Sequence, residues 1–441
     1  MKSYAARRAR LLAQMEAQGG GAAIIATNPE QMRNHDSTFP FRYDSNFFYL
    51  SGFPEPESVI VLIAGTDGKH ESLLFCREKN VEREIWDGFR FGPDAARDHF
   101  GFDAAYPIAA LDDEVVRRCA KLPALVYPTG SNLDAQVSGW LQAMRGQYRQ
   151  APRASHDLNA LVGEMRLIKD ADEIATMQRA AQISAEAHMR AMRFIKPGMN
   201  EFQVEAELLY EFRKNGSQYP AYTPIVASGG NACILHYMAN NALCKDGDLL
   251  LIDAGCELDG YASDVTRTFP VNGTFTGAQR DCYELVLASQ QAALDQAKAG
   301  LPYHAMNDAA VRVLAQGMLD LGLLDGGKVG SVEDVIEKKA HRQFYMHGTG
   351  HWLGLDVHDA GDYQPRPAPG GGERSERLLE PGMVVTIEPG LYVRPSEGVP
   401  EAFWHIGIRI EDDIVITADG NLNLSASCPR SIAEIEALMK G

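Results

Sequence analysis

The chemistry in this sequence sits in acidic residues that interrupt apolar strands and in histidines crowded into one glycine-rich stretch. In LLLIDAGCELDGYASDVTRT, residues 249–268, Leu249 to Ile252 is a continuous apolar run suited to a strand buried on both faces, and Asp253 interrupts it. Asp259-Gly260 is a strong hairpin-turn signal, so a second strand is expected to start at Tyr261 and to carry Asp264. A two-residue loop pairs Leu258 with Tyr261, which sets Gly255 opposite Asp264 and Asp253 opposite Thr266. With side chains alternating at period two, Asp253 and Asp264 leave the same face as diagonal neighbours, about 7–8 Å apart at the backbone. Two such carboxylates repel and raise one pKa unless a cation lies between them. The structural alternative is one core aspartate bonded to backbone amides and one surface aspartate.

Two further acids follow the same habit. Glu388 interrupts the apolar strand MVVTIEPGLYV just before Pro389-Gly390. In HIGIRIEDDIVIT, Ile406, Ile408 and Ile410 are expected to point one way, Arg409 and Glu411 the other. Between these strands and the aspartate hairpin lies MHGTGHWLGLDVHD, with His347, His351 and His358 within twelve residues. None belongs to HExxH, and glycines flank the threonine between His347 and His351, which argues against a zinc-binding helix. Short polar glycine-rich loops make poor cores and good site walls. An unpaired buried carboxylate costs several kcal/mol, so placing acids on these strand faces calls for a compensating charge. Asp253, Asp264, Glu388 and Glu411 with His351 suit two hard or borderline divalent cations rather than a zinc–thiolate site. The charges balance, four carboxylates at −1 against two ions at +2.

The elements that must position these groups form two parts. A first amphipathic helix ends at Gly19. Short β-branched runs at 22–28, 58–64, 73–75 and 124–130 alternate with helical segments at 81–99, 110–120 and 131–145, giving an α/β N-terminal unit. The aromatic stretch at 32–53 suits a core, a subunit contact or a cleft rim. Asp170 or Asp172 caps a long helix with a stripe at Ile174, Met177, Ala181, Ala185 and His188. Pro197-Gly198 ends it, and a second helix runs from Asn200 to Lys214. Helices at 277–299 and 304–322 and a polar loop near 325–330 precede the histidines. The rhythm of two helices followed by acid-bearing strands occurs twice, a weak internal repeat with two halves facing a site. The domain boundary is placed near 169, giving domains 1–169 and 170–441.

At 441 residues the chain exceeds a single core. Its net charge of −17 argues against nucleic acid and anionic membranes as partners. No stretch approaches the roughly 18 apolar residues of a membrane span. The N-terminus lacks the apolar core of a secretion signal. Seven scattered cysteines without CxxC suit reduced thiols, and a cytoplasmic location is expected.

The run His347-Gly-Thr-Gly-His351-Trp-Leu-Gly-Leu-Asp-Val-His358-Asp359 resembles the proline-peptidase signature, and Asp253, Asp264, His351, Glu388 and Glu411 follow the ligand order of the pita-bread metallopeptidases. With ILHY, TRTFPVNG, TIEPGLY, GIRIEDDIVI, NHDSTFPFRYDSNFFYLSGF and EIW, the chain resembles the aminopeptidase P family from roughly residue 30 to its end. The resemblance implies a creatinase-like N-terminal α/β domain, serving oligomerisation and active-site access, before an α+β pita-bread catalytic domain with pseudo-two-fold halves. It implies two manganese ions bridged by water or hydroxide as nucleophile. Asp253 would hold one ion, Asp264 and Glu411 would bridge both, and His351 and Glu388 would complete the second. Glu388 would shuttle the proton, and the substrate's α-amine would bind one ion. The reaction implied is release of the N-terminal residue from peptides with proline second. That proline leaves the scissile nitrogen without a hydrogen, and His347, Tyr392 and Arg409 would wall its ring. His236 and His358 would hydrogen-bond substrate or intermediate, while Tyr222 and Arg409 would touch the ligand carboxylates. Trp86 is either a core residue or one that reaches a neighbouring subunit's site in a homotetramer (or homodimer). The loop GGGERSERLLEPG departs from the family in the spacing of Arg374 and Arg377, so neither is assigned a substrate contact.

Prolidase, which cleaves Xaa-Pro dipeptides, is the nearest alternative. The intact ligand set argues against a creatinase-like chain or a non-catalytic binding module, and the long N-terminal domain against a methionine aminopeptidase.

Overall fold

The computed structural model describes residues 2–365 and 375–441. The chain divides into two compact units, Met1–Arg166 and Leu167–Gly441. Among the described residues no helix is long and apolar enough to cross a membrane, and all seven cysteines are buried and free.

The first unit is built on a mixed sheet of β1 (Gly21–Ala26), β2 (Val59–Ala64), β3 (His70–Cys76), β4 (Ala104–Pro107), β5 (Ala124–Tyr127) and β6 (Ala154–Asp157). The strand order is β4-β3-β2-β1-β5-β6, with β1, β2 and β3 antiparallel and the outer pairs parallel. One face of the sheet packs Ile24, Val61, Leu73 and Phe75 against Val115, Val116, Trp140 and Met144 of the helices Leu111–Cys119 and Leu133–Tyr148. The helical segment expected over 81–99 is two helices, Val81–Asp87 and Gly92–Phe100, because Gly88 at φ 86° and Gly92 at φ 70° turn the chain through left-handed backbone between them. The aromatic stretch splits in function. Asp44 caps the helix Ser45–Ser51 by accepting from Phe47 N at 2.8 Å, and Phe47, Tyr49, Leu50 and Phe53 enter the core, whereas Phe39 stays half exposed.

In the second unit the repeat is visible as structure. Helices Ala171–Phe194 and Glu201–Lys214 precede β7 (Tyr219–Pro220), β8 (Ile225–Ser228), β9 (Leu249–Asp253), β10 (Cys256–Leu258), β11 (Tyr261–Ala262) and β12 (Thr266–Pro270). Helices Gly277–Gln296 and His304–Asp320 precede β13 (Val384–Ile387), β14 (Gly390–Val393), β15 (Ile406–Arg409), β16 (Asp412–Thr417) and β17 (Gly420–Asn423). Asp170 caps the first helix in a reciprocal box with Glu173, and Thr276 does the same with Gln279. The expected polar loop near 325–330 contains instead a short helix, Gly326–Val329, which Asp325 caps.

The hairpin register is the one the turn residues dictate: Leu258 pairs with Tyr261 and Asp253 with Thr266. One expectation is corrected. Asp264 is not in a strand; the pairing lapses at residues 263–265, between β11 and β12. The two C-terminal strands lapse likewise, at Glu388 and at Ile410-Glu411. Gly255 shows why the first lapse needs glycine, since a Cβ there would lie 1.7 Å from the Ser263 carbonyl oxygen.

Arg267 joins the two halves across these lapses. It has no exposed surface, and its five N–H groups all find acceptors. Nε donates to Pro429 O, Nη1 to Thr266 O and Glu411 O, and Nη2 to Asp412 Oδ1 at 2.7 Å and Cys428 O. Removing one member of such a pair strands the other charge in low dielectric. Arg267→Met is therefore expected to destabilise the second unit by about 3–5 kcal/mol in urea unfolding. A cost below about 1 kcal/mol would show that the halves do not depend on this tie.

Candidate metal centre

Each lapse in strand pairing frees an acid to turn toward a common space. Asp253 closes β9, Asp264 lies in the gap before β12, Glu388 follows β13 and Glu411 precedes β16. A single bridge from Thr266 to Glu411 links the two halves at this point, and Thr266 Oγ1 donates to Glu411 Oε2 at 2.6 Å. His351 comes from the glycine-rich loop, which borders β13 through Thr386 N–H to His351 O and His351 N–H to Thr386 Oγ1. Tyr303 Oη also holds this loop by donating to Gly350 O at 2.5 Å.

These residues line one cavity of about 280 Å³. Asp253, Asp264, His351, Glu388 and Glu411 all face it, as do His236, His347, His358, Arg409 and Leu235. Ligand atoms of Asp264, His351 and Glu411 lie within 4.8 Å of one another. His351 Nε2 stands 3.5 Å from Asp264 Oδ2 and 3.7 Å from Glu388 Oε1. Its Nδ1 is 2.9 Å from Trp352 O, and an imidazole nitrogen meets a carbonyl only as N–H. The lone pair of the neutral ring is therefore on Nε2, aimed at the acids.

The protein's own groups do not balance this crowd. Burial, then the charge of Asp253, pushes Asp264 well above the usual carboxylate range. Burial and Asp264 do the same to Glu411, and burial with Glu411 pushes Glu388 up to about 8. Arg409 answers part of the charge: Nη2 meets Asp253 Oδ2 at 2.5 Å, Nη1 donates to Tyr392 Oη and Nε to Thr266 Oγ1. Tyr222 Oη lies against Asp253 Oδ1 at 2.5 Å and against Asp264 Oδ1. One hydroxyl hydrogen serves only one of those two carboxylates. Four acids against one guanidinium, with the His351 imidazole aimed at them and no thiolate among the described residues that line the cavity, fit divalent cations of hard or borderline character.

Around the acids stand neutral rings. His347 Nε2 is 2.8 Å from Tyr392 Oη and Nδ1 is 2.7 Å from Gly348 O. Burial and the Arg409 charge lower the His347 pKa to about 4, and burial with His351 lowers that of His358. The rings of His351 and His358 meet edge to face at 4.2 Å. Tyr392, between His347 and Arg409, is pushed by burial up to about 12.

Two sequence candidates fall elsewhere. Trp86 belongs to the first unit and is 83% exposed, so it is not a core residue. Arg377 is buried and donates from Nε to Asp362 O, while Arg374 lies outside the described residues. Other supports were not singled out from the sequence. Both oxygens of buried Asp413 accept from Asp264 N, at 3.1 and 3.2 Å, and the acidic run Glu411-Asp412-Asp413 inside an apolar strand was the signal for it. Lys169 Nζ meets Asp359 Oδ2 at 2.9 Å with both side chains buried, pinning the residue after His358. A lysine so far from its partner in sequence carries no local signal.

Residues 175–418 match the model of metallopeptidase family M24, and residues 4–127 match the aminopeptidase P N-terminal domain. A curated Xaa-Pro aminopeptidase from Escherichia coli (strain K12) is 45% identical over 443 residues, covering 99% of this chain and 97% of the relative. One from Haemophilus influenzae is 41% identical over 438 residues, with 99% and 97% covered. A solved Pseudomonas aeruginosa aminopeptidase superposes with a TM-score of 0.94 at 46% identity, covering 100% of this chain and 98% of that one. The two matches bear out the fold class expected from the motifs, an aminopeptidase P N-terminal domain followed by an M24 domain.

The raised acids make stability depend on pH in a defined direction. Glu388, near 8 in the fold against an ordinary 4.5, keeps its proton after the unfolded chain has lost it. That contribution is full below about 4.5 and is lost as pH rises through about 8. A divalent cation binds the deprotonated acids, so its stabilisation grows over the same interval. Differential scanning calorimetry of chelator-treated protein, with and without manganese, should show the Tm difference widening from pH 5 to 8 by on the order of 5 °C. A difference independent of pH would mean that these acids do not bind the ion.

Proposed function

The chain belongs to metallopeptidase family M24, and from that membership we propose that it is an Xaa-Pro aminopeptidase, releasing the first residue of peptides whose second residue is proline. The observation that carries the reading is the convergence of Asp253, Asp264, His351, Glu388 and Glu411 on one cavity, beside the chain His347–Tyr392–Arg409.

Two divalent cations, manganese in this proposal, would be held by those five residues. When bound, they polarise the scissile carbonyl and acidify the attacking water. Hydrolysis forms a bond from water oxygen to the carbonyl carbon and breaks the bond to the proline nitrogen. That nitrogen carries no hydrogen in the peptide, so it must receive a proton to leave as an amine. Glu388 is the proposed carrier, taking the water proton and delivering it to the nitrogen. Its place on the cavity, with Oε1 3.7 Å from His351 Nε2 among the acids, supports that role. His347, Tyr392 and Arg409 form the proposed wall for the proline ring. His236 and His358, both exposed and lining the cavity, are proposed to hydrogen-bond substrate or intermediate.

The proposal extends to a cytoplasmic homotetramer or homodimer in which the N-terminal domain, 1–169, serves assembly and access to the site. Val81, Ile85, Trp86 and Phe89 are 72%, 77%, 83% and 65% exposed on and beside one helix, an apolar strip of the kind that assembly covers. Trp86 is the proposed contact to a neighbouring subunit's substrate.

Release of the N-terminal residue from Arg-Pro-Pro and from Gly-Pro, after chelation and with manganese returned, tests the reading. Manganese-restored cleavage of the tripeptide with little on the dipeptide is expected. Preference for the dipeptide would make the chain a prolidase instead. Asp264→Asn keeps size and removes a charge; it should lower kcat by at least about 10²-fold while circular dichroism stays unchanged. Near-normal turnover and metal content in that variant would end the two-ion assignment.

A further inference from the structure

His236 reaches the cavity on a segment with little regular structure of its own. From Ser228, which ends β8, to Ala242 the chain makes one short 3-10 turn, Gly229–Cys233, and after it runs as turns and coil. A histidine on such a segment is positioned only if something outside the segment fixes it.

Asn240 contributes, its Nδ2 donating to Glu205 Oε2 and Pro224 O, and Arg394 donates to Cys233 O, but a single carboxylate gathers donors from the whole length of the segment. Glu201 opens the helix Glu201–Lys214 and has no exposed surface. Its Oε1 accepts from Ser228 N at 2.7 Å, Ser228 Oγ at 2.7 Å and Asn231 Nδ2 at 3.2 Å. Its Oε2 accepts from Tyr237 Oη at 2.9 Å and from Ala242 N at 2.8 Å. The donors are neutral and come from the start, middle and end of the segment, with Tyr237 adjacent to His236. An ionised carboxylate offers about four lone-pair sites, so Glu201 is saturated by them, and charge-assisted bonds of this kind are stronger than neutral ones. The partial positive charge at the helix N-terminus favours the anion further. Glu201 does not line the cavity and donates nothing to the acids there.

We propose that Glu201 is a positioning residue for His236, stapling the 228–242 segment so that this imidazole meets the substrate. The inference rests on the peptidase reading for its kinetic part and on the geometry alone for its structural part. Glu201→Gln exchanges one acceptor oxygen for an NH2 that faces donors, which strips the staple with little change of volume.

The test compares Glu201→Gln, His236→Ala and the double variant with the wild type. Hydrogen exchange by mass spectrometry should show the 228–242 amides exchanging roughly ten-fold faster in Glu201→Gln, with the helix Ala171–Phe194 unaltered and manganese content unchanged. The same variant should lose roughly ten-fold in kcat/KM on Arg-Pro-Pro, and the double variant should be no worse than His236→Ala, because the two act through one contact. Losses that multiply, or unaltered exchange over 228–242, would overturn the proposal. Should Glu201→Gln fail to fold, Tyr237→Phe removes one donor and should move exchange and kcat/KM in the same directions by less. Lack of peptide cleavage by the wild type would overturn the peptidase reading, and the exchange result alone would then decide whether Glu201 holds His236.

Discussion

Mutual repulsion among four acids facing one cavity is the constraint that the second unit is built to bear. Asp253, Asp264, Glu388 and Glu411 would separate if their backbones were free, since each is costly to bury as an anion. Covalent and hydrogen-bonded restraint keeps them together. Arg267 ties Thr266 O to Glu411 O, Asp413 grips the Asp264 amide, and Glu388 N is held by Thr349 O at 2.7 Å. Arg409 and Tyr222 relieve the charge around Asp253, yet Asp264, Glu411 and Glu388 remain raised in pKa. A cradle that stays short of positive charge after its own partners are counted is preorganised for cations, because the folding free energy has already met the cost of bringing the ligands together.

The lapses in strand pairing are how a sheet delivers side chains to such a point. In an unbroken strand, alternate residues leave opposite faces at fixed spacing, so acids on neighbouring strands would stand at ladder distances. Ending β9 at Asp253, opening a gap at Asp264 and breaking the later strands at Glu388 and Glu411 lets the backbone turn each acid inward. The backbone groups released by the breaks find new partners: Glu411 N donates across to Thr266 O of the other half, and Ile410 N to Pro389 O within its own. The breaks therefore cost little, and the two halves interlock at the site they share.

What could be read from the sequence follows from what is local. The turn Asp259-Gly260 fixed the pairing of Leu258 with Tyr261, and the register then carried Asp253 to Thr266 without any tertiary information. Asp170 and Asn200 marked helix starts because capping is a matter of adjacent residues. The strand breaks were not legible, since an apolar run with one acid reads as a single strand until a partner across the sheet is known. Arg267, Lys169 and Glu201 were equally silent: each acts on groups distant in sequence, 144 residues away for Glu411, 190 for Asp359 and up to 41 for Ala242. Gly88 was present in the sequence, but a lone glycine inside a helical pattern is ambiguous between a tolerated defect and a stop.

The histidines complete the argument, because their environment sets what they can do. His347 and His358 are lowered by burial and by neighbouring positive or ionisable groups, so at neutral pH each is an imidazole with one donor and one acceptor. Protonated rings beside Arg409 would compete with cations for the acids and would lose the acceptor face that Tyr392 Oη meets on His347. The cavity thus separates its labour by charge: acids concentrate negative potential at one end, and neutral rings supply hydrogen bonds along the wall. That separation keeps the guanidinium of Arg409 as the single fixed cation lining the cavity among the described residues, where it links Asp253 to the Tyr392–His347 pair and couples the acid end to the wall.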